Sequence, residues 1–178
     1  MPQNLDLSLY HRYFPSLNQQ VNGQQAIYFD NPGGTQVAQQ VIDAMVAYFL
    51  EANANCHGAF ITSQRTDELI NAARSAMADF LHTASPKEIV FGPNMTTLTF
   101  AFSRAISKTL HLGDEIVVTL LDHDANVAPW LALQENGAVI RAVDVHPENV
   151  TLNMDDMRAK ITERTKLVAV GYASNAVG

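Results

Sequence analysis

The chain has 178 residues, 47% of them hydrophobic, and a formal net charge of −7 with 11 Lys and Arg against 18 Asp and Glu. That length and apolar content suit one domain, or most of one, with a substantial core, and no basic run supplies the phosphate-backbone footprint of a nucleic-acid binder. No stretch approaches a membrane span, the N-terminus lacks the basic start and apolar core of a signal peptide, and Cys56 is the single cysteine, so a soluble, cytoplasmic protein without an internal disulfide is expected.

In chain order, the pattern predicts a strand over 26–29 (Ala-Ile-Tyr-Phe) and a turn at Asn31-Pro32-Gly33-Gly34-Thr35. Residues 36–51 carry Val37, Val41, Ile42, Met45, Val46, Phe49 and Leu50 at helical spacing, and 63–83 repeat the stripe through Leu69, Ile70, Ala73, Met77 and Phe80. Thr62 or Ser63 is the expected start signal of that second helix. Short, largely apolar, β-rich runs predict strands over 88–91, 114–119, 138–143 and 166–171. Helices are expected between them over 94–110, 125–135 and 153–163, the last begun by Asn153 with carboxylates in its first turn. Gly113, Gly137 and Gly178 follow element ends, where positive φ is cheap for glycine. Alternating strand and helix means an α/β fold, a mostly parallel sheet with crossover helices.

Three places carry candidate chemistry. Phe91-Gly92-Pro93-Asn94-Met95-Thr96-Thr97 joins a strand to a helix, so free N–H groups of the first turn and the threonine hydroxyls suit an anion, phosphate above all. The helix field adds ~0.3 to ~1 kcal/mol per favourable charge, but Asn94 as a plain N-cap explains the same residues. The segment is neither a Gly-x-Gly-x-x-Gly turn nor a Walker loop. Asp122-His123-Asp124 follows strand 114–119, at the strand end where open α/β sheets place ligand chemistry. His123 reads as a locally bonded histidine, as a metal ligand beside Asp122 and Asp124, or as a flat imidazole stacked on a cofactor ring. Asn175, past the strand over 166–171, offers an amide to a phenolate or carboxylate oxygen, or caps a turn. Cys56-His57 has no oxyanion element beside it, and adjacent side chains point apart, so a nucleophilic Cys56 is not expected. His57, next to Gly58, is within reach of a substrate, whereas His11, His82, His111 and His146 read as solvated.

At these residues the chain resembles the pyridoxal-phosphate-dependent class V aminotransferase superfamily, in its cysteine desulfurase-like branch. The likeness runs from Tyr28-Phe29-Asp30 through the helix start at Thr96 and His123-x-Ala125-Asn126-x-x-Pro129-Trp130 to Ser174-Asn175-x-x-Gly178. Asp124 stands where a second histidine is usual, Asn94-Met95 where Gly-Thr is usual, and Cys56-His57 where His-Arg is usual. The resemblance implies a truncated large domain of a fold-type-I transferase, with 1–50 as an N-terminal extension packed on the sheet domain and 51–178 as the partial large domain. It implies that the Met95 backbone and Thr96 hold the phosphate of pyridoxal 5'-phosphate. His123 would stack on the ring, Asn175 would bond near the ring oxygen or substrate carboxylate, and Gly33 and His57 would lie near the substrate.

Members of that branch continue further and supply a Schiff-base lysine and a second domain. None of Lys87, Lys108, Lys160 and Lys166 is expected to be that amine. The resemblance therefore implies the amino-terminal part of an enzyme acting on a small-molecule amino acid, a homodimer when complete, with cofactor binding weak or absent and no turnover in this chain alone. Two other readings compete: a non-enzymatic interaction module using an exposed sheet edge, and a metal-dependent hydrolase built on Asp122, His123 and Asp124.

Overall fold

The computed structural model describes residues 6–177, and Gly178 lies outside them. The chain divides into two compact units, Met1–Val90 and Phe91–Gly178.

The first unit opens with a single turn, α1 (Ser8–His11), begun by Asp6, whose carboxylate accepts from the Ser8 N–H at 3.0 Å and its hydroxyl at 2.6 Å. A two-stranded hairpin follows, β1 (Gln20–Val21) against β2 (Gln24–Gln25). Asn22 and Gly23 turn it with φ of 55° and 77°, as Asn-Gly does in hairpins whose central residues both need positive φ. The strand expected over 26–29 does not form. Ala26 gives its N–H to the Gln19 carbonyl, Ile27 and Phe29 are exposed, and among the described residues no strand lies beside them to complete a ladder. Helix α2 (Gln39–Glu51) starts three residues later than expected and without a side-chain cap.

Helix α3 (Ile61–Leu81) begins at Ile61, so Thr62 and Ser63 lie inside it and neither caps it. Ser63 is fully buried and serves the preceding loop, accepting from the Gly58 N–H at 2.7 Å and donating to the Asn55 carbonyl at 2.5 Å. The Thr66 hydroxyl donates to the Ala52 carbonyl in the same way. Residues 88–91, expected as a strand, leave a short 3-10 turn at Pro86–Glu88 and run on without a ladder. Only Ile89 of the four is buried.

The second unit is the α/β part. Helix α4 (Met95–Ser107) leads to β3 (Glu115–Thr119), every residue of which is buried. After β3 the expected helix over 125–135 is broken into a 3-10 turn at Asp124–Asn126, a short α5 (Ala128–Leu131) and a second 3-10 segment at Ala132–Asn136. Val127 leaves helical geometry at φ −121° and ψ −56°, and Pro129 falls in the first turn of α5, where its missing N–H costs nothing. Then come β4 (Val139–Val143), the small antiparallel pair β5 (Val145–His146) and β6 (Thr151–Leu152), α6 (Met154–Lys160) and β7 (Thr165–Val168). The strand expected over 166–171 is β7, shorter than expected at its carboxyl end, with Lys166 inside it.

Strands β4, β3 and β7 form one sheet in that order, both pairings parallel. Successive side chains of a strand leave opposite faces, and the core divides accordingly. Ile116 and Val118 of β3 pack with Trp130, Leu133, Ala138 and Ala169, with Ile106 of α4 beside them. Val117 joins Val143 and Met157 of α6 on the other face. Helices thus cover both sides of a parallel sheet, which is why β3 reads as a largely apolar run.

Candidate functional site

The carboxyl ends of β3 and β7 lie side by side, because the two strands pair in parallel with Val117 opposite Val168. The loop leaving β3 is built around Asp122. Its Oδ2 accepts from the hydroxyl of buried Thr119 at 2.5 Å, and its Oδ1 accepts from the Asn126 side-chain amide at 2.9 Å. Asn126 in turn accepts from the indole N–H of buried Trp130 at 3.5 Å. His123 comes next. It caps the 3-10 turn Asp124–Asn126, with its Nδ1 accepting from the Ala125 N–H at 3.0 Å. An imidazole nitrogen that accepts has a free lone pair, so the proton of the neutral ring sits on Nε2. His123 is exposed, and its Nε2–H is left for another acceptor.

Helix α4 packs against the Asp124–Asn126 turn. Asn94 caps it as expected, Oδ1 accepting from the Thr97 N–H at 2.9 Å. Met95 and Thr96 occupy the exposed first turn, which holds no acidic residue. Among the described residues nothing accepts from their N–H groups or from the Thr96 hydroxyl. Gly92 lets the incoming chain lie against Leu98, since a Cβ there would sit 2.5 Å from a Leu98 methyl. Beyond β7, Gly171 abuts Asp122, and Asn175 lies exposed in a turn held by Ser174 Oγ, which accepts from the Ala176 N–H at 3.2 Å.

Thr96, His123 and Asn175 therefore stand on three segments joined through the Asp122 loop, although no hydrogen bond links the three side chains directly among the described residues. A helix start offering two N–H groups and a hydroxyl to an anion, on a helix that packs against the loop presenting a flat imidazole, suits a phosphorylated aromatic cofactor. At Asp122-His123-Asp124 the same geometry turns side chains back into the loop. Both Asp122 oxygens and His123 Nδ1 already have partners, and no group of three His, Cys, Asp or Glu side chains converges among the described residues.

Gly33 and His57 belong to the first unit. Gly33 ends the 3-10 turn Asn31–Gly33, where a Cβ would meet the Asp30 carboxylate at 2.9 Å. His57 has φ of 66° and donates its backbone N–H to Asp67 at 2.9 Å, while its imidazole is 91% exposed and lies 3.5 Å from the same carboxylate. Cys56 beside it is free and exposed. Of the lysines, Lys160 is bound through Nζ to Asp156 at 2.6 Å and to the Ala142 carbonyl at 2.5 Å. Lys87 sits in the Pro86–Glu88 turn, with no strand after it, and Lys108 caps the end of α4.

Two arrangements were not read from the sequence. One is the grip of Asp122, read there as a metal ligand, on Thr119 and Asn126. The other is Glu115, a fully buried side chain at the amino end of β3 that Arg141 meets at 2.8 Å, Arg164 at 3.0 Å and the Thr162 hydroxyl at 2.8 Å. The Arg141 hydrogen bond first, then that of Thr162, holds the Glu115 carboxyl below the usual glutamate range. A charge opening one apolar strand and another inside the next, Glu115 and Arg141, were the available signal.

Residues 27–178 match the aminotransferase class-V family. The chain is 34% identical over 169 residues to a probable cysteine desulfurase of Synechocystis sp., covering 93% of this chain and 40% of that protein. It is 36% identical over 176 residues to a cysteine desulfurase of Synechococcus elongatus, covering 97% and 28%. Among solved structures, the apo cysteine desulfurase of Thermococcus onnurineus NA1 superposes with a TM-score of 0.77 at 31% identity, over 85% of this chain and 38% of that one. An Escherichia coli cysteine desulfurase superposes at 0.79 with 26% identity, over 96% and 42%. The chain spans less than half the length of each of these relatives.

Proposed function

The chain belongs to the aminotransferase class-V family, and from that premise we propose that it is the amino-terminal part of a pyridoxal-phosphate-dependent enzyme acting on an amino acid, in the manner of a cysteine desulfurase or a class-V aminotransferase. The reading is supported above all by one arrangement. The His123 loop and the Asn175 turn leave neighbouring parallel strands, and α4 packs on that same loop with its first-turn donors free. When bound, the cofactor supplies an electron sink for a bond at the amino acid's α-carbon.

This chain's own residues bind and orient. The Met95 and Thr96 N–H groups and the Thr96 hydroxyl hold the phosphate, helped by the positive end of α4. His123 would stack its imidazole on the ring, with its Nδ1 held by the Ala125 N–H. Asn175 donates its amide to the ring oxygen or the substrate carboxylate. No lysine of this chain is assigned to the cofactor, so these residues alone hold it weakly and without turnover.

Absorbance titration of the purified chain with pyridoxal 5'-phosphate tests this reading. Expected are weak, saturable binding that His123→Ala and Thr96→Val both reduce, and no stoichiometric borohydride-stable adduct on any lysine. A stoichiometric adduct on Lys87, Lys108, Lys160 or Lys166 overturns the claim of noncovalent holding. Binding indifferent to both substitutions overturns the site.

A further inference from the structure

We propose that Asp122 is the positioning residue for His123: a carboxylate that clamps the loop leaving β3 so that the imidazole is presented in one orientation and one tautomer. The inference rests on the reading of His123 as the residue that faces the cofactor ring, and it concerns what holds that ring in place.

Both oxygens of Asp122 accept from groups that are themselves anchored. Thr119 Oγ1, at 2.5 Å, belongs to the last residue of a fully buried strand. The Asn126 amide, at 2.9 Å, closes the 3-10 turn, and its own oxygen accepts from the indole of Trp130. His123 thus follows an anchored residue in the chain, Asp122, and its own Nδ1 accepts from the Ala125 N–H. The carboxylate also lies close to the segment that leaves β7, since a Cβ added to Gly171 would sit 2.6 Å from Asp122 Oδ1. One side chain therefore bonds the end of β3 to the turn bearing His123, and it lies beside the exit of β7 that leads to Asn175. Each oxygen of Asp122 accepts one hydrogen bond within the loop, and in that role the carboxylate is a grip.

The test uses the whole chain in three variants, Asp122→Ala, Asp122→Asn and Gly171→Ala, with two readouts that need no cofactor: the nitrogen-15 resonances of the His123 imidazole and hydrogen exchange at the Ala125 amide. In the parent chain His123 shows the Nε2–H pattern. Asp122→Ala moves it toward a mixture of tautomers and speeds Ala125 exchange by about tenfold, the scale of one lost hydrogen bond. Asp122→Asn keeps the parent pattern, because an amide can accept from Asn126 and donate to Thr119 Oγ1. Gly171→Ala pushes on Asp122 from the segment beyond β7 without changing a residue of the His123 loop, and it stands in for Asp122→Ala should that variant not fold.

Parent-like imidazole signals in Asp122→Ala or Gly171→Ala overturn the proposal, and so does Asp122→Asn behaving as badly as alanine, since charge and not the grip would then be acting. Pyridoxal 5'-phosphate forms a separate arm read by induced circular dichroism. A parent chain that gives no signal there removes the cofactor reading of His123, while the nitrogen-15 result still decides whether Asp122 holds the ring.

Discussion

Phe102 and Trp130 meet edge to face, ring centroids 6.3 Å apart and planes at 83°. Phe102 belongs to α4 and is half exposed, whereas Trp130 is buried in the core that backs β3. The pair therefore fastens the helix that starts at Met95 to the segment that follows His123. Trp130→Ala should cost about 3–5 kcal/mol in urea unfolding, the range for emptying an aromatic site in a core, and Phe102→Ala distinctly less because its ring is only partly covered. A double-mutant cycle should return a coupling of roughly 0.5–1.5 kcal/mol. Strictly additive losses would mean that the two rings touch without supporting each other.

At the start of α4, stability and binding separate by residue. Asn94→Ala removes the acceptor of the Thr97 N–H and should destabilise by about 0.5–2 kcal/mol. The Thr96 hydroxyl has no partner among the described residues, so Thr96→Val should leave the unfolding midpoint unchanged. Its loss should appear in pyridoxal 5'-phosphate affinity, weakened about tenfold or more as expected for a hydrogen bond to a charged group. Equal effects of the two variants on both measurements would show that the first turn serves the fold alone.

Glu115 makes the stability depend on acid. Its folded pKa lies below the ordinary value because Arg141 and then Thr162 bond the ionised carboxylate, so the unfolded chain binds the proton more readily than the folded one. The stabilisation is complete above the unfolded glutamate value and disappears as pH falls through the lowered folded value. Glu115→Gln should weaken the protein at neutral pH, where Arg141 and Arg164 would face each other without a counter-charge. It should also flatten the decline of stability below about pH 4. Asp156 is shifted in the same direction, by the Asp144 N–H and then Lys160, so part of the decline survives in that variant. Parallel pH curves for parent and variant would assign the acid sensitivity elsewhere.

What the residues announce and what they conceal divides along the reach of the interactions. Strand β3 is readable because Glu115–Thr119 is covered on both faces, and the Asn94 and Asn153 caps are readable because their bonds span three residues. The runs over 26–29 and 88–91 have the composition of strands, yet a strand exists only with a ladder partner, and none lies beside either among the described residues. The Asn22-Gly23 hairpin is easily passed over because glutamines, not alternating apolar residues, surround it. Ser63 resembles a helix cap, but its hydroxyl is used to hold the loop through Gly58 and Asn55. In the site, Thr96, His123 and Asn175 can be named from element ends alone. The contact of Asp122 with Gly171 depends on β7 lying beside β3 and has no local mark.

Gly137 and Gly113 allow backbone strain to be measured apart from steric clash. They face each other, the Gly113 N–H donating to the Gly137 carbonyl at 2.9 Å, with φ of 84° and 87°. A Cβ on Gly113 meets nothing within 4 Å, while one on Gly137 runs into the Leu112 side chain. Leu112 is 88% exposed, so its end can swing into solvent at little cost. What remains for either alanine is the left-handed backbone, about 1–2 kcal/mol. Gly113→Ala and Gly137→Ala should therefore lose similar stability in urea unfolding, and Gly137→Asn less, since asparagine tolerates that conformation. Adding Leu112→Ala to Gly137→Ala should recover nothing. Recovery would show that Leu112 is held in place and that the cost at Gly137 is a collision.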